Sequence, residues 1–238
     1  MRVSIVIPLH NEADNVGQLV SEIAALSLEG RFEIILVNDA SLDETALVLS
    51  DMKSKIPHLK VISHREKYGQ SAAIATGVRY SQGDLIATLD GDGQNDPADI
   101  PKLISVLENS QEFSMVAGYR RERHDTWWKI TTSRIANSVR GFFLRDDTPD
   151  TGCGLKVFYK TTFLALPFFD HMHRFLPALV QMQGGKVTSV EVSHRTRAHG
   201  RSNYGTWDRI WVGIVDLIGV GWLRLRSRKI LIEEDFDE

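Results

Sequence analysis

Apolar runs and amphipathic stretches alternate through the first 118 residues, and that alternation leaves few architectures open. Runs at about 2–8, 32–38, 59–63, 84–90 and 114–118 read as strands, and helical patterns at about 12–27, 42–55, 69–80 and 97–109 fill the intervals. Strand, helix and strand at this spacing build βαβ units, hence an α/β fold with a mostly parallel central sheet and helices on both faces. Ligands of such sheets sit at the carboxyl ends of the strands. Polar residues collect there: Asn11-Glu12 after the first strand, Asp39-Ala40-Ser41-Leu42-Asp43 after the second, and Asp90 and Asp92 after the fourth. Three polar strand ends suit a nucleotide pocket.

The second half is less regular. A helix is predicted at about 127–144, with Trp127, Trp128, Ile130, Ile135, Val139, Phe142 and Phe143 beside Lys129, Arg134 and Arg140. A polar turn over 146–154, a strand near 155–159, a helix at 172–182, a strand at 186–194 and an Arg-rich loop at 195–204 follow. The last strong apolar segment is 210–223. As a 14-residue helix it would be roughly 20 Å long, short of the ~30 Å hydrocarbon core of a bilayer, and Asp216 interrupts it. It reads either as a buried core helix or as an interfacial helix, with Trp211 and Trp222 at headgroup level and Arg224, Arg226, Arg228 and Lys229 on anionic lipid.

The loop Asp90-Gly91-Asp92-Gly93-Gln94 carries the most chemistry. Two carboxylates stand two residues apart among glycines that let the backbone come close to a ligand. Hard oxygen ligands at a strand end suit Mg²⁺ or Mn²⁺, which completes its shell with water and phosphate oxygens. A metal-bridged diphosphate is the chemistry implied; a solvated acidic turn is the alternative. Asp39-x-Ser41-x-Asp43-x-Thr45 is read both as a helix N-cap and as a contact to a nucleobase or ribose, since cap and ligand site share a helix start.

Composition narrows the class. With 238 residues, 42% hydrophobic and 25% charged, the chain has the make-up of one globular α/β domain, not of a disordered or polytopic membrane protein. The amino terminus reads as a strand with no signal-peptide pattern. The single cysteine, Cys153, excludes an internal disulfide or a thiolate-rich zinc site, so a cytoplasmic setting is expected. Five acids among residues 233–238 hide the charge of the remainder, in which 28 basic residues face 26 acidic ones. Eight Lys/Arg against two acids over 195–229, and seven against two over 120–145, form patches attractive to phosphates or anionic headgroups.

Val6-Ile7-Pro8-x-x-Asn11-Glu12, Val37-Asn38-Asp39-x-Ser41-x-Asp43-x-Thr45 and Asp90-Gly91-Asp92-x-Gln94 together resemble the family-two inverting glycosyltransferases of GT-A fold, a Rossmann-like nucleotide-sugar-binding fold. Asp92-x-Gln94-x-x-Pro97, Gly118-x-Arg120, Arg134-x-x-Asn137-Ser138, Asp150-x-x-Cys153-Gly154-x-Lys156 and Arg197-x-x-Gly200-x-Ser202 narrow the resemblance to the dolichol-phosphate mannosyltransferase and bacterial polyprenyl-phosphate glycosyltransferase branch.

The resemblance implies that Pro8, Glu12 and Asp39 line the nucleotide pocket, and that Asp90, Asp92 and Gln94 gather around the metal and donor diphosphate. It implies that Arg120, Arg134, Ser138, Arg197 and Ser202 bind the lipid-linked acceptor phosphate or the donor phosphates. Asp92 and Arg134 are expected to carry the reaction, with Asp150 the candidate base if one is used; its other reading is a turn residue beside Pro149. An acceptor phosphate is already an anion and needs mainly positioning. Departures matter too. Lys156 stands where relatives more often have Arg, a better phosphate fork, and Asn203 stands where mannosyltransferases commonly have Lys. His171-Met172-His173 reads as a pocket rim or surface, and Cys153 as structural or pocket-lining.

The implied division is a GT-A domain over 1–204, an amphipathic, basic, membrane-associating segment over 205–232 and an acidic tail over 233–238. The implied activity is metal-dependent transfer from a UDP- or GDP-linked sugar to a polyprenyl phosphate by a peripheral enzyme on the inner membrane face. A membrane protein partner is left open. The rival readings are a transferase with a soluble, protein or polysaccharide acceptor and a non-catalytic nucleotide-sugar-binding module. No nucleic-acid motif, G-x-G-x-x-G dinucleotide fingerprint after the first strand or P-loop is present.

Overall fold

The strand β1 (Val3–Leu9) is buried along its whole length because neighbours flank both edges and helices cover both faces. The computed structural model describes residues 2–28, 32–110, 112–121, 141, 144, 146–196 and 206–227. Within these, β1, α1 (Ala13–Ala24), β2 (Phe32–Asn38), α2 (Thr45–Lys55), β3 (Leu59–Ser63), α3 (Gln70–Tyr80) and β4 (Leu85–Thr88) follow in strict alternation. A 3₁₀ turn (Pro97–Asp99), α4 (Ile100–Glu108), β5 (Phe113–Arg120), β6 (Lys156–Tyr159), α5 (Lys160–Leu164), a second 3₁₀ turn (Met172–Arg174), α6 (Leu176–Met182), β7 (Lys186–Val192) and α7 (Thr206–Arg226) complete the order.

The described strands form one sheet in the order β3-β2-β1-β4-β6-β5-β7. It is mostly parallel, as expected; β6 alone runs antiparallel to both its neighbours. Strand alternation sorts the core into two layers. Val3, Ile5, Ile7, Leu9, Ile34 and Leu36 meet α1, α2 and α4 on one face. Val6, Ile35 and Val37 meet α3, α6 and Val220 of α7 on the other. Helix α1 places Val16, Leu19, Val20 and Ile23 on one stripe, each worth about 1.5–3 kcal/mol when buried.

Where boundaries moved, local chemistry explains it. The pattern at 42–55 becomes a helix only at Thr45, because Asp43 Oδ1 accepts the Thr45 N–H (3.0 Å) and hydroxyl (2.5 Å) and holds a turn. The stretch at 97–109 begins with a 3₁₀ turn capped by Asp96, which accepts the Ala98 N–H at 3.0 Å. The expected helix 172–182 is split between the second 3₁₀ turn and α6, with Pro177 in the first turn of α6. The short α5 went unread. Residues 127–140 of the expected helix 127–144 lie outside the described residues.

The carboxyl-terminal segment corrects an expectation. Helix α7 has 21 residues rather than 14, about 32 Å at 1.5 Å per residue, so length does not keep it from spanning a bilayer. Charge does: Asp208, Arg209, Asp216, Arg224 and Arg226 fall within it, and no helix among the described residues is long and apolar enough to cross a membrane.

Candidate active site

The sheet changes direction between β1 and β4. From β1 the chain winds outward through β2 and β3, then returns to the other side of β1 as β4, leaving a crevice at the carboxyl ends of the two strands. Pro8 fits in this central strand because β4 pairs only as far as Thr88, opposite Val6, so the edge of Pro8 that lacks an N–H has no strand to bond. The Asp90–Gln94 loop crosses this strand end. A Cβ on Gly91 would lie 2.4 Å from Leu9 Cδ2 and 3.0 Å from the Pro8 carbonyl oxygen, so only glycine lets the loop come this close.

Asp90 lies on the wall of a cavity of about 420 Å³, lined also by Gln70, Arg120, Asp150, Lys156, His173 and Arg174. The antiparallel pairing of β6 with β4 builds this cavity. It sets Lys156 opposite Thr88 and so brings the 150–154 turn beside Asp90, where Thr88 Oγ1 donates to the Gly154 carbonyl at 2.8 Å. A Cβ on Gly154 would meet the Asp90 carboxylate at 2.3 Å. Gln70, at the start of α3, donates to Asp90 Oδ1 at 2.8 Å. Burial, then the charge of Asp92, push the Asp90 carboxyl above its ordinary range against the pull of Lys156 and Arg120. Asp92 Oδ1 accepts the Gln94 N–H at 3.1 Å, which shapes the loop through the Gln94 backbone.

Arg120 and Asp150 form a two-pronged pair on the cavity wall: Nε to Oδ2 at 2.7 Å and Nη2 to Oδ1 at 3.0 Å. The Arg120 N–H also reaches Asp150 Oδ2 at 3.3 Å. Asp150 is therefore engaged as the counter-ion of Arg120. Lys156 is buried beneath the turn, its Nζ donating to the carbonyls of Cys153 and Thr151, and burial pulls its pKa down. Cys153 is buried in the lining, and burial raises its thiol.

Asp39 anchors the β3–α3 loop. It is 3% exposed and accepts from the Tyr68 N–H (2.9 Å) and Gly69 N–H (2.7 Å), with His64 Nδ1 at 2.7 Å. Burial opposes its charge, but these partners outweigh it and hold the carboxyl below the ordinary range. The expected contact to base or ribose thus meets a carboxylate already engaged by three protein groups. The 41–45 segment latches two loops together. Glu12 N–H donates to Thr45 Oγ1 at 3.0 Å, Ala13 N–H to Asp43 Oδ2 at 3.2 Å, and Leu42 N–H to Asn11 Oδ1 at 2.7 Å. Glu12 itself accepts from Asn15 Nδ2 at 2.6 Å.

The chain after β7 returns to the same loop: Arg195 N–H donates to the Gln94 carbonyl at 2.9 Å, and its guanidinium pairs with Glu22 and Asp96 at 2.6 and 2.8 Å. Arg134, Ser138, Arg197 and Ser202 lie outside the described residues. Sequence reasoning missed Gln70 and Arg174 and discounted Lys156. The Gln70 position, just after a strand-end loop and Gly69, carried a signal; Arg174 carried none. His173 lines the cavity, with Nδ1 2.7 Å from Ser71 Oγ, whereas His171 faces Asp216 of α7 at 3.0 Å.

The D-x-D loop thus lies at a switch point, with Asp90 on a cavity wall that also carries Arg120, Lys156 and Arg174. The profile of Glycosyl transferase family 2 matches residues 4–165. The chain belongs to glycosyl transferase family 2. Its relatives include the dodecaprenyl-phosphate galacturonate synthase of Rhizobium johnstonii, 35% identical over 96% of this chain and 69% of that protein. The undecaprenyl-phosphate 4-deoxy-4-formamido-L-arabinose transferase of Pseudomonas savastanoi pv. phaseolicola is 36% identical over 85% of this chain. The chain spans only 60% of that enzyme's length. Among solved structures, glucosyl-3-phosphoglycerate synthase from Mycobacterium tuberculosis, with Mn²⁺, UDP and product, superposes with a TM-score of 0.71 at 16% identity over 96% of this chain and 81% of that one. Mannosyl-3-phosphoglycerate synthase from Rubrobacter xylanophilus gives 0.70 at 18% identity, over 100% and 79%. At these identities the likeness is one of fold, and this family-2 glycosyltransferase has the GT-A fold.

Proposed function

We propose that this glycosyltransferase moves a sugar from a nucleoside-diphosphate sugar to a polyprenyl phosphate, with inversion at the anomeric carbon. The observation that carries the reading is the place of Asp90, a half-buried carboxylate at the switch point on the cavity wall, whose charge is disfavoured by desolvation and by Asp92. A divalent cation relieves that penalty, and hard oxygen donors suit Mg²⁺ or Mn²⁺. Asp90 and Asp92, with Gln94, would hold the cation, which when bound neutralises charge on the departing nucleoside diphosphate. Asp39, Glu12 and Pro8 would shape the nucleotide end of the crevice. Arg120, oriented by Asp150, would bind acceptor phosphate together with Arg134, Ser138, Arg197 and Ser202. The acceptor oxygen is already anionic, so Asp150 serves better as the counter-ion of Arg120 than as a base.

The names of the relatives support the polyprenyl acceptor and disagree on the sugar: galacturonate in one, formamido-arabinose in the other. The surface of α7 supports peripheral attachment. Val220 is buried, while Ile214, Val215, Ile218, Trp222 and Leu225 are exposed, next to Arg224 and Arg226. An apolar stripe bordered by cations suits the face of an anionic bilayer, on the cytoplasmic side where nucleotide sugars are available.

The test is nucleoside diphosphate release from UDP- and GDP-sugars with Mn²⁺, with and without polyprenyl phosphate. Lipid-dependent release that disappears in Asp92→Ala is expected. Release independent of lipid overturns the polyprenyl acceptor, and no release with any donor overturns the enzyme reading.

A further inference from the structure

The cavity beside Asp90 is lined by three basic side chains, Arg120, Lys156 and Arg174, and two of them are held by protein groups. Arg120 is locked to Asp150 by two hydrogen bonds. Lys156 donates to the carbonyls of Cys153 and Thr151. Arg174 is different: it lines the cavity, is half-buried, and its side chain makes no hydrogen bond or ion pair among the described residues.

Its backbone is held firmly. Arg174 N–H donates to the His171 carbonyl at 3.0 Å. His173 N–H donates to Ser71 Oγ at 3.2 Å, which ties the turn to α3. His171 pairs with Asp216, which ties the turn to α7. His173 adds no charge beside it, since burial, then the neighbouring Arg174, push its pKa down to about 3. A half-buried arginine on a fixed turn, lining this cavity with its guanidinium unpaired among the described residues, is a site for an oxyanion.

Two ligand phosphates already have partners in the function proposed above, on which this inference rests. In that function the donor diphosphate would take the Asp90–Asp92 loop and its cation, and the acceptor phosphate would take Arg120. The transferred sugar would lie between them, with no group yet assigned to it. We propose that Arg174 is a specificity-determining residue that pairs with a carboxylate on the transferred sugar, so that the donor is a nucleoside-diphosphate uronic acid. Guanidinium and carboxylate match in a planar, two-bond geometry that a hydroxymethyl group in the same position cannot reproduce.

An acceptor phosphate offers the same oxyanion chemistry, and the experiment separates the two. Steady-state transfer to polyprenyl phosphate with Mn²⁺ is compared for UDP-galacturonate and UDP-glucuronate against UDP-galactose and UDP-glucose, in wild type, Arg174→Gln and Arg174→Lys. Thermal melting verifies that each variant is folded. The wild type is expected to prefer a uronate. Arg174→Gln is expected to lower kcat/KM for that uronate on the order of 10²-fold or more, with far smaller losses for neutral sugars and no change in KM for the lipid. Arg174→Lys should recover part of the loss. Equal losses for all donors with a raised lipid KM assign Arg174 to the acceptor phosphate and overturn the proposal. So does a wild type that transfers only neutral sugars, which leaves the transferase reading intact. No transfer from any donor overturns both.

Discussion

Asp90 is held as much by its neighbours as by its own strand, and the consequences can be measured one side chain at a time. Gly154→Ala puts a methyl within 2.3 Å of the carboxylate, so one of the two must move. A loss of about 1–3 kcal/mol in stability and at least tenfold weaker Mn²⁺ binding, by calorimetry, are expected. Because burial and Asp92 raise the Asp90 pKa, protons compete for the carboxylate above the range of an exposed aspartate. Metal affinity should therefore begin to fall at a higher pH than that of an exposed carboxylate site. His173 is linked to stability in the acid range. Its folded pKa of about 3 lies below the ordinary value of 6.5, so it stays neutral in the native state while the unfolded chain takes up a proton. Stability is complete above 6.5 and is lost as pH falls toward 3, at up to roughly 1.4 kcal/mol per pH unit. Urea titrations of His173→Asn should lack this component. The strand-end position of Asp90 and Asp92 was legible, because a Gly-rich acidic loop after an apolar run is a local pattern. Gln70 carried only the signal of Gly69 and the loop before it and Arg174 carried none, since packing alone brings a helix start and a distant 3₁₀ turn to the same cavity.

At the scale of elements, the loops after β1 and β2 form one unit. Asp43 joins them by accepting from Ala13 at the start of α1 and from Thr45 at the start of α2. Asp43→Ala removes these two bonds and the one from the Thr45 hydroxyl, and should cost on the order of 1 kcal/mol, read as a lower urea midpoint with an unchanged slope. The motif reads as an N-cap, but the N-cap of α2 is Glu44 without a side-chain bond, and Asp43 holds the turn before it. Its reach to α1 was not legible, since a bond between loops 30 residues apart depends on the parallel pairing of β1 with β2. The antiparallel β6 is the element with most bearing on the site. Its apolar pattern identifies a strand but not a direction, and direction is what places Gly154 and Lys156 beside Asp90. Residues 172–182 likewise divide into a 3₁₀ turn and α6, and the turn carries His173 and Arg174 to the cavity wall.

For the whole molecule, α7 joins the body to its surroundings. Its inner side is docked through Val220 and the His171–Asp216 pair, while Ile218 and Trp222 face outward at 68% and 58% exposure. Ile218→Glu with Trp222→Glu should abolish sedimentation with anionic liposomes and leave the melting temperature within a few degrees, because neither side chain contributes to the core. The sequence predicted the segment and its amphipathic character but misjudged its length, since the charged residues that bar it from the bilayer interior still lie on a continuous helix. By itself the sequence determined the α/β alternation, the strand-end carboxylates and the family, because hydrophobic periodicity and loop chemistry are local properties written within a few residues. The tertiary structure decided which strand ends adjoin, which carboxylates are engaged by arginine or by backbone, and which cation is left facing an open cavity. Those are set by strand order, direction and packing, which bring residues 90, 120, 154 and 174 together though no local rule connects them.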